Sequence, residues 1–531
     1  MIELTLLLLA AAVGFAIARW TKLPSIPILL LAGLGMAAVY PMDGGFVEDA
    51  ITLGVTVLVF VAGIELNPRR LKGRGWIALQ VGAGQFVALG LIGLGAALFL
   101  GFALETALYL SLALTASSTL VVVKLLQERR LLYEPVGRLV TGVLLLQDLL
   151  IIVSIPAVIR YPDGPWAIAF GVLGTLGLVA LSGVVLRWVA PIVSDRLAGD
   201  EEMTLLVSLS LLFVFMGLAY LLDLPLVTGA FLAGVALSGF PAAALVRGQI
   251  NSLGDFFHAL LFAGLGAFLS LPTSTELLQA SLLVLLIIVI TPPLVAWISE
   301  HAGLSARPAI SAGLLLSQTS EFSLVIALQG LALGRITPGV FTVITLVTVT
   351  TMILTPVLAS DRMTWALMKI HPFKRAPSPE RIPENHVLLL GCGRHGRELL
   401  ETLIITRDEI VVLDQDPALV AHLREAGVRA VRGDAADPNA LRGVGADRAQ
   451  IIISTIRRRE DNLPVLELAA GVPILVRGFN KEDGDWIRRR GGEPILYSDA
   501  AAGHFKTWFE ERWKAEGMPS NPDGGGGRSE N

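Results

Sequence analysis

Cysteine is almost absent from this chain: Cys392 is the single one in 531 residues. That excludes an intramolecular disulfide and fits a reducing compartment around the C-terminal part. Charge is scarce as well. Asp, Glu, Lys and Arg make up 16% of the residues, against 54% hydrophobic ones and a mean hydropathy of +0.69. The charges concentrate beyond Ser360, so the chain divides into a membrane part and a soluble part. The formal net charge of −4 argues against nucleic acid as a partner. No basic stretch precedes the N-terminal apolar run, and many further runs follow it. We read it as a first transmembrane helix, not a cleaved leader.

Apolar runs of spanning length recur as far as Pro356. The pattern predicts thirteen helices, near 3–19, 25–40, 49–66, 76–100, 105–126, 137–159, 166–188, 203–222, 225–240, 253–271, 276–298, 308–330 and 337–358. With the C-terminus cytoplasmic, an odd number puts the N-terminus outside. The inner loops then hold Arg19, Lys22, Arg69, Arg70, Lys72, Arg74, Arg129, Arg130, Arg138, Arg187, Arg196, Arg247 and Arg307. The outer loops hold Asp43, Glu48 and Asp49, with Arg160 and Arg335 as basic exceptions. This bias is the one expected of cytoplasmic loops.

The sixth predicted span carries an acid, Asp148, in the run Thr141–Ser154. A charge at that depth costs roughly 2.5–3.5 kcal/mol on insertion scales, so such acids are rare and functional. Burial disfavours the ionised form; the group can hold a proton or, once deprotonated, a cation. Two hydroxyl-rich stretches, Thr115–Thr119 and Ser317–Ser323, interrupt the fifth and twelfth spans. Seven spans separate them, so they run in opposite orientations, as in six-helix inverted repeats with one helix between. Transporters of that build bind ions near the midplane, where paired helices break and free their carbonyls. Deprotonated Asp148, the Gln147 amide oxygen and oxygens from Thr115, Ser117 and Ser118 would make a cage for a monovalent cation. Protonation of Asp148 would expel the ion. Glu321 lies deep enough to help organise the site. Glu65 and Lys124 lie near cytoplasmic helix ends, where a snorkelling charge needs no function.

Past Pro356 the character changes. Asp361–Pro383 is basic and proline-rich and reads as a juxtamembrane linker. An alternating pattern follows, with strands expected at 387–391, 409–414, 428–432, 450–454, 473–477 and 494–497. Gly391-Cys-Gly393-Arg-His-Gly396 follows the first strand and precedes a helix expected from about Arg397, the context a dinucleotide-binding GxGxxG requires. Gly391 would make the turn, Gly393 admit a phosphate, and Gly396 let the helix pack on the sheet. Asp414 ends the second strand, placed to bind a ribose hydroxyl pair and to disfavour a 2′-phosphate. NAD(H) or an adenine nucleotide such as AMP is therefore expected, as a regulatory ligand and not a redox cofactor. The candidate contacts are Gly391, Gly393, Arg394, His395, Gly396, Asp414, Gln415, Gly433 and Asp434. No second cysteine or catalytic partner is evident beside Cys392 and His395, which read as loop filling.

The expected fold class is a polytopic α-helical membrane protein with crossed broken helices, joined to a cytosolic α/β Rossmann-like domain. Its expected parts are 1–360, a linker at 361–384, the nucleotide domain at 385–500, and a C-terminal helix and disordered tail at 501–531.

Gly63-Ile-Glu65-Leu-Asn-Pro68, Ser117-Ser118-Thr119, Lys124-Leu-Leu-Gln-Glu128-Arg129, Gly137-Arg138, Gln147-Asp148, Gly229–Gly234, Ser317-Gln318 and Glu321-Phe322 occur in one order. As a set they resemble monovalent cation:proton antiporters of the second cation/proton antiporter family. The subgroup is the Kef-type potassium efflux systems with a C-terminal RCK or TrkA-N nucleotide-binding domain. The resemblance covers about residues 5 to 500. It implies an antiporter fold in a bacterial inner membrane, a homodimer with dimerisation and core domains, an elevator-like movement, and Asp148 as carrier of K+ and H+ in turn. Gln-Asp is typical of potassium-handling members, with sodium the rival ion. The family's Gln-Gly-Gly-Glu-Phe is here Gln318-Thr-Ser-Glu321-Phe322, which bears on how the break bends. No lysine lies in spans ten to thirteen, which implies electroneutral one-for-one exchange. Glutathione control occurs in Kef-type relatives, but no residues here define a site for it; a regulatory accessory subunit stays open as a partner. A nucleotide-gated potassium channel would need a carbonyl filter such as TVGYG, which is missing. A proton-translocating NAD-linked oxidoreductase would need a substrate domain after residue 500. The chain reads as a transporter, not an enzyme.

Overall fold

The computed structural model describes residues 2–496 apart from 22–24, 41–43, 66–74, 130, 133, 193–200, 239–255, 270, 371–382 and 405–408, and short stretches between 502 and 512. Lys22, Asp43, Arg69, Arg70, Lys72, Arg74, Arg130, Arg196, Arg247, the run 371–382 and the tail Ser520–Asn531 lie outside the described residues. The chain forms two compact units, Met1–His371 and Pro372–Asn531.

The first unit is helical. Its elements are α1 (Ile2–Thr21), α2 (Ser25–Val39), α3 (Gly44–Glu65), α4 (Gly75–Phe99), α5 (Leu104–Ala113), α6 (Thr119–Glu128), α7 (Pro135–Ile159) and α8 (Pro165–Val184), the last continuing through a π turn at Val185–Val189. Then come α9 (Glu201–Leu221), α10 (Leu226–Leu237), α11 (Phe256–Ala267), α12 (Ser274–His301), α13 (Ala306–Leu315), α14 (Glu321–Ala332), α15 (Pro338–Leu358) and α16 (Asp361–Ile370). Local signals set several starts. Thr273 and Glu276 form a capping box on α12, and Thr337 caps α15 ahead of Pro338. Seven of the described helices, α1, α4, α7, α8, α9, α12 and α15, are long and apolar enough to cross a membrane. Shorter apolar helices lie between them. Leu91, Phe170, Leu206, Phe213 and Leu285 are exposed on the outside, an apolar surface suited to lipid.

Two helices are interrupted. The first breaks between α5 and α6, the second between α13 and α14. Leu104 and Ala306, Ser118 and Ser320, and Thr119 and Glu321 stand the same 202 positions apart (306 − 104, 320 − 118, 321 − 119). That is an internal repeat written in the backbone. It extends to glycine crossings elsewhere. A Cβ on Gly63 would strike the Phe231 carbonyl and one on Gly234 the Phe60 carbonyl, so α3 and α10 meet backbone to backbone. Gly33 and Gly266 do the same for α2 and α11, against the carbonyls of Ala263 and Leu30.

Packing sorts the helices into two sets. α3 and α9 pack on α10, and α1 on α2; in the other set α4 packs on α5, α7 and α12, α12 on α13 and α15, and α14 on α5 and α15. α8 touches both α7 and α10. The two arginines that stand out in the predicted outer loops are each paired. Arg160 meets Asp223 at 3.1 Å and Arg335 meets Glu105 at 2.9 Å.

Asp361–Ile370, expected as linker, is helical and belongs to this unit. Thr364 is buried, the Arg307 guanidinium lies 5.2 Å from the Trp365 ring centroid, and α16 packs on α13. The sequence hid this because one apolar stripe among charges is easily taken for a polar segment.

The second unit is a six-stranded parallel sheet: β1 (Val387–Leu390), β2 (Ile410–Asp414), β3 (Arg429–Arg432), β4 (Ile451–Ser454), β5 (Ile474–Gly478) and β6 (Glu493–Leu496), in the order β3-β2-β1-β4-β5-β6. This is the doubly wound order, whose crevice opens at the carboxyl ends of β1 and β4. All of β1 is buried, as a central parallel strand should be. The strand ends at Leu390, so Gly391 belongs to the turn, and helix α17 (Arg394–Ile404) starts three residues ahead of the expected Arg397. The glycine loop runs directly into the helix, so Gly396 lies within its first turn.

Candidate functional site

The two breaks cross beside α7. At the first, the Ser117 amide donates to Gln147 Oε1 at 3.2 Å and the Ser117 hydroxyl to the Leu316 carbonyl of the second break at 2.8 Å. Gln318 Nε2 returns the link to the Ser118 carbonyl at 3.4 Å. Thr115 and Ser317 each donate to the carbonyl three residues back, at 2.7 Å. Ser118 caps α6 through the Val121 amide and stands near the Glu321 carboxyl, which accepts from the Ser320 hydroxyl at 3.5 Å. Ser320 caps α14 through the Phe322 amide.

Thr319 and Ser320, standing where relatives of the resembled family have glycines, need no left-handed backbone. Ser320 is extended (φ −102, ψ 160). Thr319 is fastened to α15, its hydroxyl donating to Thr348 Oγ1 at 3.1 Å and its amide to Thr351 Oγ1 at 3.2 Å. The break is held by hydroxyl groups in place of glycine.

Asp148 and Gln147 are both buried at this crossing. Asp148 Oδ2 accepts the Thr119 hydroxyl at 3.1 Å. Its Oδ1, Gln147 Nε2 and Gln318 Oε1 are buried with no hydrogen-bond partner among the described residues. A buried polar atom left so is costly unless water or a ligand meets it. Glu321 is buried, and its carboxyl and that of Glu65 act electrostatically on Asp148. Lys124 is exposed on α6. The structure thus brings together Asp148, Gln147, Ser117, Ser118 and Glu321, with Thr115 one turn away in the first break. It adds Thr119, Gln318 and Thr319. All three sit inside the hydroxyl-rich stretches, but spacing alone does not tell which hydroxyl faces the acid.

In the second unit, Gly391 takes φ +78 and a Cβ on Gly396 would press on the Gly391 carbonyl, while a Cβ on Gly393 would meet open space. These are the turn, the close helix contact and the open approach that the motif requires. Asp414 Oδ2 accepts the Cys392 amide at 2.6 Å and Oδ1 the Asp416 amide at 2.8 Å, so the acid clamps the loop. Thr455, after β4, donates to the Gly391 carbonyl at 2.7 Å. His395 leans on Glu398 at 3.4 Å, and Arg394 is exposed at the helix start. Gln415 and Gly433 follow β2 and β3 at the same edge of the sheet; Asp434 turns back on the Ala436 amide at 2.9 Å. Burial, then the neighbouring Asp414, push the Cys392 thiol up to about 11, so it stays protonated and inert.

Two interrupted helices crossing at a half-satisfied buried acid are the working parts of a secondary active transporter, not of an enzyme. A sodium/hydrogen exchanger transmembrane model matches residues 5–360 and a TrkA-N domain model matches 387–495. The glutathione-regulated potassium-efflux system protein KefC of Salmonella schwarzengrund is 30% identical over 477 residues, covering 83% of this chain and 75% of that protein. The KefC of Salmonella typhimurium is 30% identical over 481 residues, with the same coverage. In fold, the helical unit is similar to the sodium proton antiporter MjNhaP1 from Methanocaldococcus jannaschii (TM-score 0.55, 16% identity, 69% of this chain and 97% of that one). The chain belongs to the sodium/hydrogen exchanger family, in the branch of cation:proton antiporters that carries a C-terminal TrkA-N domain.

Proposed function

We propose that this protein exchanges a monovalent cation, potassium, for a proton, with Asp148 holding one or the other in turn. The observation that carries the reading is the open Oδ1 of Asp148, buried where the two helix breaks cross. Thr115 and Ser117 keep lone pairs on hydroxyls whose protons are spent on carbonyls; with Gln147 they supply neutral oxygens. Such a set suits a weakly held alkali cation. Ser118 and Glu321 brace the crossing. Potassium is favoured over sodium because the relatives that align over most of the chain are named as potassium-efflux systems. One acid serving both ions makes the exchange one-for-one and electroneutral. The membrane is the bacterial inner membrane, with thirteen spans, the N-terminus outside and the C-terminus cytoplasmic. The protein works as a homodimer in lipid, by an elevator-like movement of one helix set against the other.

NAD(H) or AMP is the regulatory ligand of the second unit, and the fit rests on the loop geometry. Gly391, Gly393 and Gly396 leave a backbone cradle, and Arg394 stands at the helix start to meet phosphate charge. Asp414 shapes the loop at the end of β2, where a ribose would lie, and His395, Gln415, Gly433 and Asp434 edge the crevice. Binding regulates transport only insofar as the ligand prefers one transport state.

The test is Asp148→Asn in proteoliposomes. Cation-driven proton movement should fall to background while the protein elutes as a folded species; wild-type flux in that variant would falsify the mechanism.

A further inference from the structure

Among the described residues of the helical unit three glutamines are buried: Gln85, Gln147 and Gln318. Gln147 and Gln318 belong to the crossing already described. Gln85 has had no part in it, yet both its side-chain atoms, Oε1 and Nε2, are buried and unpartnered among the described residues. Its neighbours on the same face of α4, Val81 and Leu89, are apolar and buried, so nothing along that helix face satisfies the amide.

Placement on α4 says what the amide is for. One turn before it, Gly82 lies against Val143 and Leu146 of α7, the residues leading to Gln147 and Asp148. One turn beyond Leu89, Gly93 lies against Ser111 and Leu114, and Gly90 lies against Thr115 of the first break. Ser111 also donates to the Gly90 carbonyl at 2.6 Å. In sequence Gln85 therefore stands between the part of α4 that lies along α7 just before Gln147 and Asp148 and the part that lies along the first break, and Gln147 Nε2 is likewise unpartnered among the described residues. Two open amides on helices packed together make a polar spot in an apolar bundle, the setting in which a buried water makes several hydrogen bonds.

We propose that Gln85 is a further specificity-determining residue of the exchange site, holding with Gln147 a water that completes the cation's oxygen shell beside Asp148. This rests on the exchange reading given above. A cation that keeps one water is selected by the size of the space left for it, so Gln85 sets the preference among alkali ions without carrying charge.

Packing and ion binding predict opposite orders for two variants. Gln85→Leu removes both polar atoms at similar volume, and Gln85→Glu keeps an acceptor while introducing an acid. If Gln85 serves the cation, Leu raises KM for potassium at least about fivefold with kcat little changed, as for the loss of one hydrogen-bonded partner. It also flattens the ranking of potassium, rubidium and sodium, while Glu holds KM within about twofold. If Gln85 is only packed, Leu is the better tolerated variant and Glu the damaging one. Measured in proteoliposomes on the full-length protein, wild-type KM and ion ranking in Gln85→Leu overturn the proposal. Should Leu not survive extraction, a Glu variant that folds but loses potassium affinity overturns it equally. Those outcomes alongside an inactive Asp148→Asn sink this inference alone; an active Asp148→Asn sinks the exchange reading first.

Discussion

Asp148 and Asp414 are the same side chain put to opposite uses. Asp414 spends one oxygen on the Cys392 amide and the other on the Asp416 amide; it is saturated by backbone and holds a loop in shape. Asp148 has one oxygen on the Thr119 hydroxyl and the other without a partner among the described residues. An acid that the fold leaves incomplete is available to cargo, and an acid that the fold completes is part of the frame. The difference lies in what surrounds each one: free amides at a turn in the soluble unit, and hydroxyls with few spare protons at the crossing.

One substitution made at both places breaks this comparison or confirms it. Asp148→Asn should leave folding intact and abolish exchange, the largest effect expected. Asp414→Asn should do the reverse. It weakens two hydrogen bonds to a charged group, each worth roughly 1.5–3 kcal/mol, so the second unit should unfold earlier in a thermal scan. Adenine-nucleotide binding, followed by calorimetry on the full-length protein, should drop at least about tenfold, while exchange without nucleotide persists. A smaller effect comes from the Thr119 hydroxyl that Asp148 accepts. Thr119→Val should raise KM for the cation about ten- to hundredfold, the worth of a hydrogen bond to an ionised group; an unchanged KM would show that Thr119 is only packed there.

The smallest effect is one of pH and concerns the second unit alone. His386 is buried, which lowers its pKa below the usual 6.5 despite its bond to the Pro383 carbonyl. The unfolded chain thus binds a proton more readily than the folded one near that pH. Stability from keeping His386 neutral is full above 6.5 and is lost as pH falls toward the folded value. Melting of the second unit should therefore drop on acidification below about 6.5 in the wild type, and His386→Gln should show a flatter profile.

Much of this was legible in the residues. A lone acid in a long apolar run has few innocent explanations, so Asp148 stood out, and so did the hydroxyl stretches, because their interval matched an inverted repeat. The glycine loop and Asp414 were legible because strand, spacing and helix arrive together. Other features had no such signature. Helix α4 is apolar on every side, so periodicity does not separate exposed Gln80 from buried Gln85. Nor does any local rule give Thr119 to Asp148, since that bond joins residues from separate helices. The threonines of α15 look like ordinary β-branched filling until Thr319 is found tied to two of them. What is long-range in space is silent in a string of letters.

The glycine crossings carry one more consequence. Where α3 meets α10 and α2 meets α11, main chain rests on main chain, with no side chain between them whose rotamer can yield. Joints of that kind neither slide nor loosen by degrees; they stay riveted or come apart. Alanine at any of Gly33, Gly63, Gly234 or Gly266 would force whole helices aside, so the search for altered ion preference has to leave those four α-carbons alone.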